Sequence, residues 1–322
     1  MARVTAGGRL HFGFQNLSLA HARLYGSLGI ALDSPRVVVT ADAAETVRCD
    51  HDDAREYARR ATELLDVPGA DVTIERTLLR HVGLGSGTQL ALAVLAAVAR
   101  AHDRERRVRE RAPKLGRGGR SGVGVATFES GGFVVDSGHP TERFTADRPP
   151  RGEWSVPAVA ARHEVPDDWR FVVVLPDSEP GRSGDGEDES MRSVVESADP
   201  KLADEIAAVV ARRVLPAVAE GDADDFGAAV AEVGRLNGAW YADEQGGVYR
   251  PPVGELVARL SESAAIAGAG QSSWGPAVYG VTTENRVEAA HEAAHAALSA
   301  AGVGGEVLVA EPRNRGARVE RE

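Results

Sequence analysis

One stretch of the chain changes from glycine-rich to almost wholly apolar within a single helical turn. It reads "RHVGLGSGTQLALAVLAAVARAHD", residues 80–103, and it follows the strand-like segment "ADVTIERTL". This order predicts a strand, a glycine loop and a helix that runs to about His102, with Ser86 or Thr88 as its N-cap. Because residues 90–99 are almost all apolar, we expect the helix to be buried.

The glycine-rich end of this stretch has two interpretations. Gly83, Gly85 and Gly87 permit the close or left-handed backbone of a tight turn. The same loop, placed before a helix N-terminus, presents unpaired N–H groups and the positive end of the helix dipole to an anion such as phosphate. The spacing matches neither G-x-x-x-x-G-K-[ST] nor G-x-G-x-x-G. Taken alone, the loop leaves a turn and a phosphate site equally open.

Length and charge restrict the kind of protein that this chain forms. For 322 residues we expect two domains. A net charge of −11 argues against a nucleic-acid binder, and the apolar runs are too short to span a bilayer, so we expect neither a nucleic-acid nor a membrane partner. The N-terminus lacks the apolar stretch of a signal peptide, which predicts a cytoplasmic location. Cys49 is the only cysteine, which excludes an internal disulfide and a cysteine-based zinc cluster.

Among the charged residues, acidic ones are in excess and lysine is rare. Acidic residues number 48 against 37 basic ones, and Lys114 and Lys201 are the only lysines. This halophilic composition suits a salt-rich cytoplasm, although base composition alone also produces a shortage of lysine. An arginine at a candidate site therefore carries less weight, because this chain seldom uses lysine.

Secondary-structure patterns divide the chain into two α+β units. The first forty residues alternate apolar and polar positions, which predicts strands. Composition changes at "ADRPPRGEW", and we predict an N-terminal domain of residues 1–165, which holds the glycine loop, and a C-terminal domain of residues 166–322. After the buried strand "WRFVVVLPD", the segment "SEPGRSGDGEDES", residues 178–190, is predicted to be a polar, acidic loop. Helical patterns follow, and a strand–helix–strand pattern ends the chain.

Three glycine-rich stretches together resemble the three motifs of the GHMP small-molecule kinase superfamily. "AGGRLHFGF" is similar to the first motif, A-P-G-R-x-x-x-x-G, and "GLGSGTQLA" to the phosphate loop G-L-G-S-S, with Gly87 in place of the second serine. "GAGQSSWGPAVYG" is similar to the third, with Gln271, Ser272 and Ser273 in place of glycines. The resemblance implies an α+β, GHMP-type two-domain fold: an N-terminal domain like domain 2 of ribosomal protein S5 and a ferredoxin-like C-terminal domain. It also favours the phosphate interpretation of the glycine loop.

The chain departs from the kinases of this superfamily at one position. Kinases such as mevalonate kinase carry S-G-x-D-N-x-x-x-x-x-G-G, whose aspartate acts near the phosphoryl acceptor. The corresponding stretch here is "SGVGVATFESGG", and Gly124 stands where the aspartate is expected. Glycine neither takes a proton nor helps to organise magnesium. An ATP-dependent small-molecule kinase and an inactive ligand-binding homologue stay open as alternatives.

Longer stretches resemble the β-ribofuranosylaminobenzene 5′-phosphate synthase family more closely. The match covers most of the chain and includes "HVGLGSGTQLALAV", "GRGGRSGVGVATFESGGFVVD", "RLYGSLGIALDSP" and "VVVLPDSEPGRSG". The resemblance implies phosphoribosyl transfer from 5-phosphoribosyl 1-pyrophosphate (PRPP) to the ring carbon of 4-aminobenzoate, or of 4-hydroxybenzoate. Carbon dioxide and pyrophosphate are released, in the synthesis of a methanopterin-type pterin cofactor. It also implies Mg²⁺ bound with PRPP, no organic cofactor and small-molecule partners, and we expect a homodimer.

Candidate site residues follow from these motifs. Catalytic roles are expected for Arg9, His11, Arg117 and Arg120. Phosphate or substrate binding is expected for Gly83, Gly85, Ser86, Gly87, Thr88, Gln89, Arg23, Tyr25, Arg182, Ser183, Gln271, Ser272, Ser273 and Trp274. Arginine suits a phosphate or the aryl carboxylate, an aromatic side chain suits stacking on the acid, and the acidic loop suits a lid. The residue types equally allow solvated charges, an ordinary hairpin and core aromatics, and they leave the metal ligands unknown.

Overall fold

The computed structural model of the protein describes residues 1–144, 152–179 and 185–321. Within these ranges the chain forms one sheet of seven strands and one of four, with helices packed against both. Neighbouring strands in each sheet run antiparallel. The predicted α+β class is therefore confirmed.

The elements are numbered along the chain. The strands are β1 Ala2–Asn16, β2 Arg23–Ala44, β3 Gly69–Arg76, β4 Phe133–Asp136, β5 His139–Pro140, β6 Val159–His163, β7 Trp169–Pro176, β8 Gly268–Gln271, β9 Val278–Thr283, β10 Gly305–Ala310 and β11 Arg318–Arg321. The helices are α1 Asp52–Leu65, α2 Ser86–Ala101, α3 Val108–Arg111, α4 Val123–Ser130, α5 Asp185–Ser197, α6 Pro200–Val209, α7 Leu215–Glu220, α8 Ala223–Trp240, α9 Ala242–Gln245, α10 Val253–Ser261 and α11 Val287–Ala300. A π-helical turn, Val210–Val214, joins α6 to α7.

The first sheet is built on the long hairpin of β1 and β2. Its strands lie in the order β11-β1-β2-β4-β6, while β3 and β5 pair with other parts of β2. Every second residue from position 2 to position 8 of β1 is buried, as the alternating sequence predicts. Helix α2 packs on this sheet and buries all of residues 89–99, so the expectation of a buried helix is confirmed.

The second sheet has the topology of a ferredoxin-like unit. Its strands lie in the order β10-β7-β9-β8, and along the chain they alternate with helices as strand, helices, strand, strand, helix, strand. Along the chain, β6 of the first sheet ends at His163 and β7 of the second sheet begins at Trp169, and the division into residues 1–165 and 166–322 stays a prediction. The last strand, β11, returns to the first sheet and pairs with β1.

A continuous apolar core joins the two sheets. The ring of Phe12 on β1 lies edge-on to Phe226 of α8, with centroids 5.9 Å apart, and to Tyr279 of β9, 5.0 Å apart. All three side chains are fully buried. Such packing fixes one sheet against the other, so residues of both units are held in place to form a single site.

The prediction of an acidic loop over residues 178–190 is wrong for its second half, because α5 begins at Asp185. Carboxylates are favoured near a helix N-terminus, so the composition that indicated a loop also suits the first turns of a helix. Arg182 and Ser183, which we expected to close over a ligand, lie outside the described residues. No helix in the described ranges has both the length and the apolar character needed to cross a bilayer.

Candidate active site

Three segments distant in sequence meet at the start of α2. They are strand β1, the loop 77–85 and the turn 272–277 between β8 and β9. The backbone N–H of Arg9 donates to the carbonyl of Leu84 at 3.1 Å, and the N–H of Ala277 donates to the carbonyl of Val82 at 2.9 Å. The glycine loop is thus held on one side by the first motif and on the other by the third.

Ser272 connects all three segments. Its buried hydroxyl donates to the carbonyl of Gly83 at 2.7 Å and accepts from the N–H of His11 at 3.1 Å. Gly83 has a φ of +97°, and a Cβ there would lie 2.2 Å from the Ser272 carbonyl oxygen. A side chain at position 83 therefore cannot be accommodated without moving the turn.

Helix α2 begins without a side-chain cap. Its N-cap is Gly85, with a φ of +78°, so the prediction that Ser86 or Thr88 is the cap is wrong. The N–H groups of Thr88 and Gln89 both reach the Gly85 carbonyl at 3.0 Å, and the first turn contains no acidic residue. Because residues 85–88 are only partly buried, this uncapped helix N-terminus is accessible to an anion.

Two guanidinium groups flank the glycine loop. Nη1 of Arg9 donates to the Gly83 carbonyl at 2.5 Å, and its Cγ would lie 3.1 Å from a Cβ at Gly85. On the other side, Nη2 of Arg117 would lie 2.9 Å from a Cβ at Gly87. The glycines at 85 and 87 therefore leave the space in which both arginines approach the start of the helix.

Arg117 is held in place from α1. Its guanidinium lies 5.4 Å from the centre of the Tyr57 ring and donates a hydrogen bond to the Tyr57 hydroxyl. The buried Nε has no hydrogen-bond partner among the described residues. Arg120 is partly buried in the same turn, three residues further on. The guanidinium of Arg117 is thus fixed against the ring of Tyr57 beside the glycine loop.

The position that distinguishes this chain from the kinases lies directly against α2. The side-chain amide of Gln89 donates to the carbonyl of Gly124 at 2.9 Å. A Cβ at Gly124 would lie 3.1 Å from Cγ2 of Thr88. An acidic side chain at position 124 would begin beside the glycine loop, and this chain has none there.

Asp136, at the end of β4, is a residue of the site region that we did not predict from the sequence. Its fully buried carboxylate accepts from the Ser27 hydroxyl at 2.5 Å and from the N–H groups of Gly122 at 2.8 Å and Gly138 at 2.9 Å. Burial raises the pKa of this carboxyl group. Asp136 fixes the turn that precedes α4, and an acid at the end of the apolar run "FVVD" was the signal available in the sequence.

The structure places Arg23 and Tyr25 at the edge of this region. Arg23 is exposed and donates to the carbonyls of Ser137 at 2.5 Å and Gly138 at 2.8 Å. Tyr25 is buried, with ring centroids 5.9 Å from those of Phe14 and Trp154. In this arrangement Arg23 braces a turn and Tyr25 belongs to the core.

A cavity of about 60 Å³ lies beside the glycine loop, between β1, α8 and the third motif. His11 lines it and is 5% exposed. Burial, with a smaller effect of the positive charge on Arg9, lowers the pKa of His11 to about 3, so the imidazole is neutral at physiological pH. Its Nδ1 has no hydrogen-bond partner in the described part of the chain.

The third motif supplies another part of the cavity wall. Nε2 of Gln271 donates to the Ser273 carbonyl at 3.2 Å, while the buried Oε1 finds no donor among the described residues. Ser273 also lines the cavity, and its N–H donates to the His11 carbonyl at 3.0 Å. The ring of Trp274 lies 4.8 Å from that of Tyr241, edge to face.

The described residues do not form a metal site of their own. Within them, no three His, Cys, Asp or Glu side chains are grouped so as to bind a metal ion. These residues do not fit a protein-held metal. The expected Mg²⁺ would depend on the pyrophosphate oxygens of PRPP for its ligands, and it stays a prediction.

Comparisons with known proteins agree with this architecture. The chain matches the GHMP kinases N terminal domain over residues 50–132 and the GHMP kinases C terminal domain over residues 214–300. It is 33% identical to a β-ribofuranosylphenol 5′-phosphate synthase of Methanothermobacter thermautotrophicus, over 98% of this chain and 97% of that protein. A protein of the same name from Archaeoglobus fulgidus is 31% identical, over 99% of this chain and 100% of its own length.

Solved structures show the same fold at much lower identity. Phosphomevalonate kinase from Streptococcus pneumoniae, in complex with phosphomevalonate and AMPPNP, superposes with a TM-score of 0.69 at 12% identity, over 97% of this chain and all of that one. Mevalonate kinase from Methanococcus jannaschii gives 0.63 at 12% identity, over 97% of this chain and 98% of that one. The predicted GHMP-type fold is confirmed, and with it the family: the chain belongs to the β-ribofuranosylphenol 5′-phosphate synthase family.

Proposed function

We propose that this protein transfers the phosphoribosyl group of PRPP to the ring carbon that carries the carboxylate of a para-substituted benzoate, releasing pyrophosphate and carbon dioxide. The acceptor is 4-aminobenzoate or 4-hydroxybenzoate. The product belongs to the synthesis of a methanopterin-type pterin cofactor, as the resemblance of the sequence implies.

The observation that carries this proposal is the uncapped start of α2 between two arginines. PRPP has a 5′-phosphate and a pyrophosphate, and breaking its anomeric C–O bond puts further negative charge on the leaving pyrophosphate. Free N–H groups at a helix N-terminus and the guanidiniums of Arg9 and Arg117 are the groups that bind such charge. Arg120, on the same turn as Arg117, is proposed to take a further phosphate oxygen.

Transfer to carbon suits this site better than transfer of a phosphoryl group. A kinase needs a group that takes or positions the proton of its acceptor. Position 124 faces the loop without a side chain, and the nearby carboxylate of Asp136 is buried and accepts from three donors. An electron-rich ring carbon carries no proton that must be removed before it attacks, and departure of the carboxylate as carbon dioxide restores the aromatic ring.

The names of the two relatives favour one acceptor. Both describe a ribofuranosylphenol, a product that retains a hydroxyl group on its ring. The para-hydroxyl acid is therefore the first acceptor to test, with the para-amino acid beside it. No organic cofactor is proposed, and the lid of Arg182 and Ser183 and the homodimer stay predictions.

The test is a product assay with purified protein. PRPP and Mg²⁺ are supplied with 4-hydroxybenzoate or with 4-aminobenzoate, and pyrophosphate is measured against a reaction without aromatic acid. We expect pyrophosphate to be released from PRPP only when one of the two aromatic acids is present. Production of ADP from ATP and a small alcohol, with no pyrophosphate release from PRPP, would show a kinase. Binding of PRPP without turnover would show an inactive homologue.

A further inference from the structure

The cavity beside the glycine loop differs from the loop in the side chains that line it. Among the residues that the structure describes, no Asp, Glu, Lys or Arg lines the cavity. His11 is neutral, and burial raises the pKa of Tyr249, another lining residue, to about 12, so that phenol stays protonated. A phosphate or pyrophosphate would lose its hydration here without gaining a cation, so the cavity suits a ligand that is mostly apolar.

The walls and the size of the cavity suit a single flat ring. Phe14, Tyr241, Tyr249 and Trp274 all contribute aromatic surface. The volume of about 60 Å³ is several times the roughly 10–15 Å³ that one water molecule needs. Aromatic side chains pack on a flat ring in stacked or edge-on geometry.

Two residues that line this cavity, His11 and Gln271, each have one buried polar atom without a partner among the described residues, and these atoms indicate which groups the ring carries. The amide of Gln271 is oriented by its bond to the Ser273 carbonyl, which leaves Oε1 as an acceptor without a donor among the described residues. Nδ1 of the neutral His11 is the second such atom. Leaving a buried polar atom unpaired costs about 1–3 kcal/mol, so a ligand that supplies both partners gains that free energy on binding.

We propose that the cavity binds the aromatic acid, with Gln271 Oε1 accepting a hydrogen bond from the para hydroxyl or amino group. An ionised para-substituted benzoate has one donor, its para group, and Gln271 presents an acceptor. The carboxylate, which carries a single negative charge, accepts from the His11 imidazole when its proton is on Nδ1, at the end of the cavity where the positive charge of Arg9 acts. This inference rests on the proposed function and adds the residue that selects the acceptor.

The location places the ring next to the phosphates. Ser272 bonds to Gly83 of the loop and to His11 of the cavity, so one serine separates the two subsites. The ring carbon that bears the carboxylate bonds to the anomeric carbon while the C–O bond to pyrophosphate breaks and its electron pair leaves with pyrophosphate. The bond to the carboxylate then breaks, carbon dioxide departs, and the electron pair returns to the ring. Positive charge that builds on the para group strengthens its bond to Gln271.

The experiment compares two ligands on the full-length chain by calorimetry. 4-Hydroxybenzoate has a para donor, and 4-methylbenzoate has a methyl group of similar size in its place. We expect the wild-type protein to bind the hydroxy acid at least tenfold more tightly, and Gln271→Leu to bind the two acids equally. PRPP affinity of Gln271→Leu should stay within twofold of wild type, which shows that the variant is folded and its phosphate site intact.

Failure of this inference is distinguishable from failure of the proposed function. If pyrophosphate release from PRPP depends on 4-hydroxybenzoate but the wild-type protein binds the two acids equally, the reaction stands and the role of Gln271 is wrong. The same holds if Gln271→Leu keeps the wild-type preference. If no aromatic acid promotes release of pyrophosphate, the proposed function is wrong, and this inference with it.

Discussion

The glycine loop and the neighbouring cavity, the two halves of the site, offer a ligand different kinds of chemical group. The glycine loop offers backbone N–H groups between two guanidiniums, while the neighbouring cavity offers aromatic rings and two neutral polar atoms without partners among the described residues. Arg9 acts on both halves, because its side chain donates to the carbonyl of Gly83 in the loop while its positive charge helps to keep His11, at the cavity, neutral. In the proposed function, this contrast lets one site bind a polyanion and an aromatic acid side by side, because each subsite disfavours the ligand of the other.

The largest effect is expected from Gly85→Val. Gly85 has a φ of +78° and lies against the Arg9 side chain, so a β-branched residue strains the backbone and displaces that arginine. PRPP binding, measured by calorimetry, should fall at least a hundredfold, while 4-hydroxybenzoate still binds to the cavity.

Gly302→Val is the matched control for this change. Gly302 has a φ of +65°, and a Cβ there would meet no described atom within 4 Å, so valine meets backbone strain without obstructing a ligand. This variant should lose stability but keep the PRPP affinity of the wild-type protein. If a folded Gly85→Val variant binds PRPP as tightly as the wild-type protein, the glycine loop is only a structural turn and does not bind the phosphates.

A smaller loss is expected from Arg117→Ala. A hydrogen bond to a charged group contributes about 1.5–3 kcal/mol, which corresponds to roughly a tenfold to hundredfold loss of PRPP affinity. Binding of 4-hydroxybenzoate alone should not change. Tyr57→Phe, which removes only the hydroxyl partner of Arg117, should weaken PRPP binding less than Arg117→Ala does. Equal PRPP affinity in Arg117→Ala and wild type would show that Arg117 serves the fold alone.

The smallest effect concerns the neutrality of His11. Its pKa falls from 6.5 in the unfolded chain to about 3 in the folded protein, so between these pH values only the unfolded chain takes up the proton. Stability from this group is therefore present above pH 6.5 and is lost as the pH falls. Compared with His11→Gln, the wild-type protein should lose about 1.4 kcal/mol of unfolding free energy per pH unit below pH 6.

Urea unfolding of both proteins at pH 7.5, 6.0 and 5.0 measures this difference. The unfolding free energy of the wild-type protein should fall relative to that of His11→Gln as the pH is lowered. A difference that is constant with pH would mean that His11 takes up its proton as readily in the folded protein as in the unfolded chain. The cavity would then carry a charge at pH 5.0.

Local patterns in the sequence predicted local structure well. The change from glycine to apolar residues predicted a buried helix, and α2 begins at Ser86 and ends at Ala101. Its cap was missed because both Ser86 and a left-handed Gly85 are able to start a helix, and the choice depends on the Arg9 and Leu84 contacts of the loop. The acidic stretch before residue 190 was misassigned for a similar reason, since charge suits loops and first helical turns alike.

Features that depend on contacts between distant parts of the chain were not predicted from the sequence. Asp136 serves a turn fourteen residues earlier, and β11 pairs with a strand at the other end of the chain. The unpaired atoms of His11 and Gln271 become visible only when β1 and the third motif are brought together. Motifs indicated which segments form the site, and packing decides which of their atoms are left for a ligand.

Decarboxylation coupled to transfer is the central claim, and one measurement tests it most directly. The protein is incubated with PRPP, Mg²⁺ and 4-hydroxybenzoate that carries ¹³C in its carboxyl group. The amounts of labelled carbon dioxide and of pyrophosphate are then measured in the same sample. We expect one carbon dioxide for each pyrophosphate and a phosphoribosyl product without label. Pyrophosphate released with the label retained in the product, or with no carbon dioxide at all, would contradict the claim.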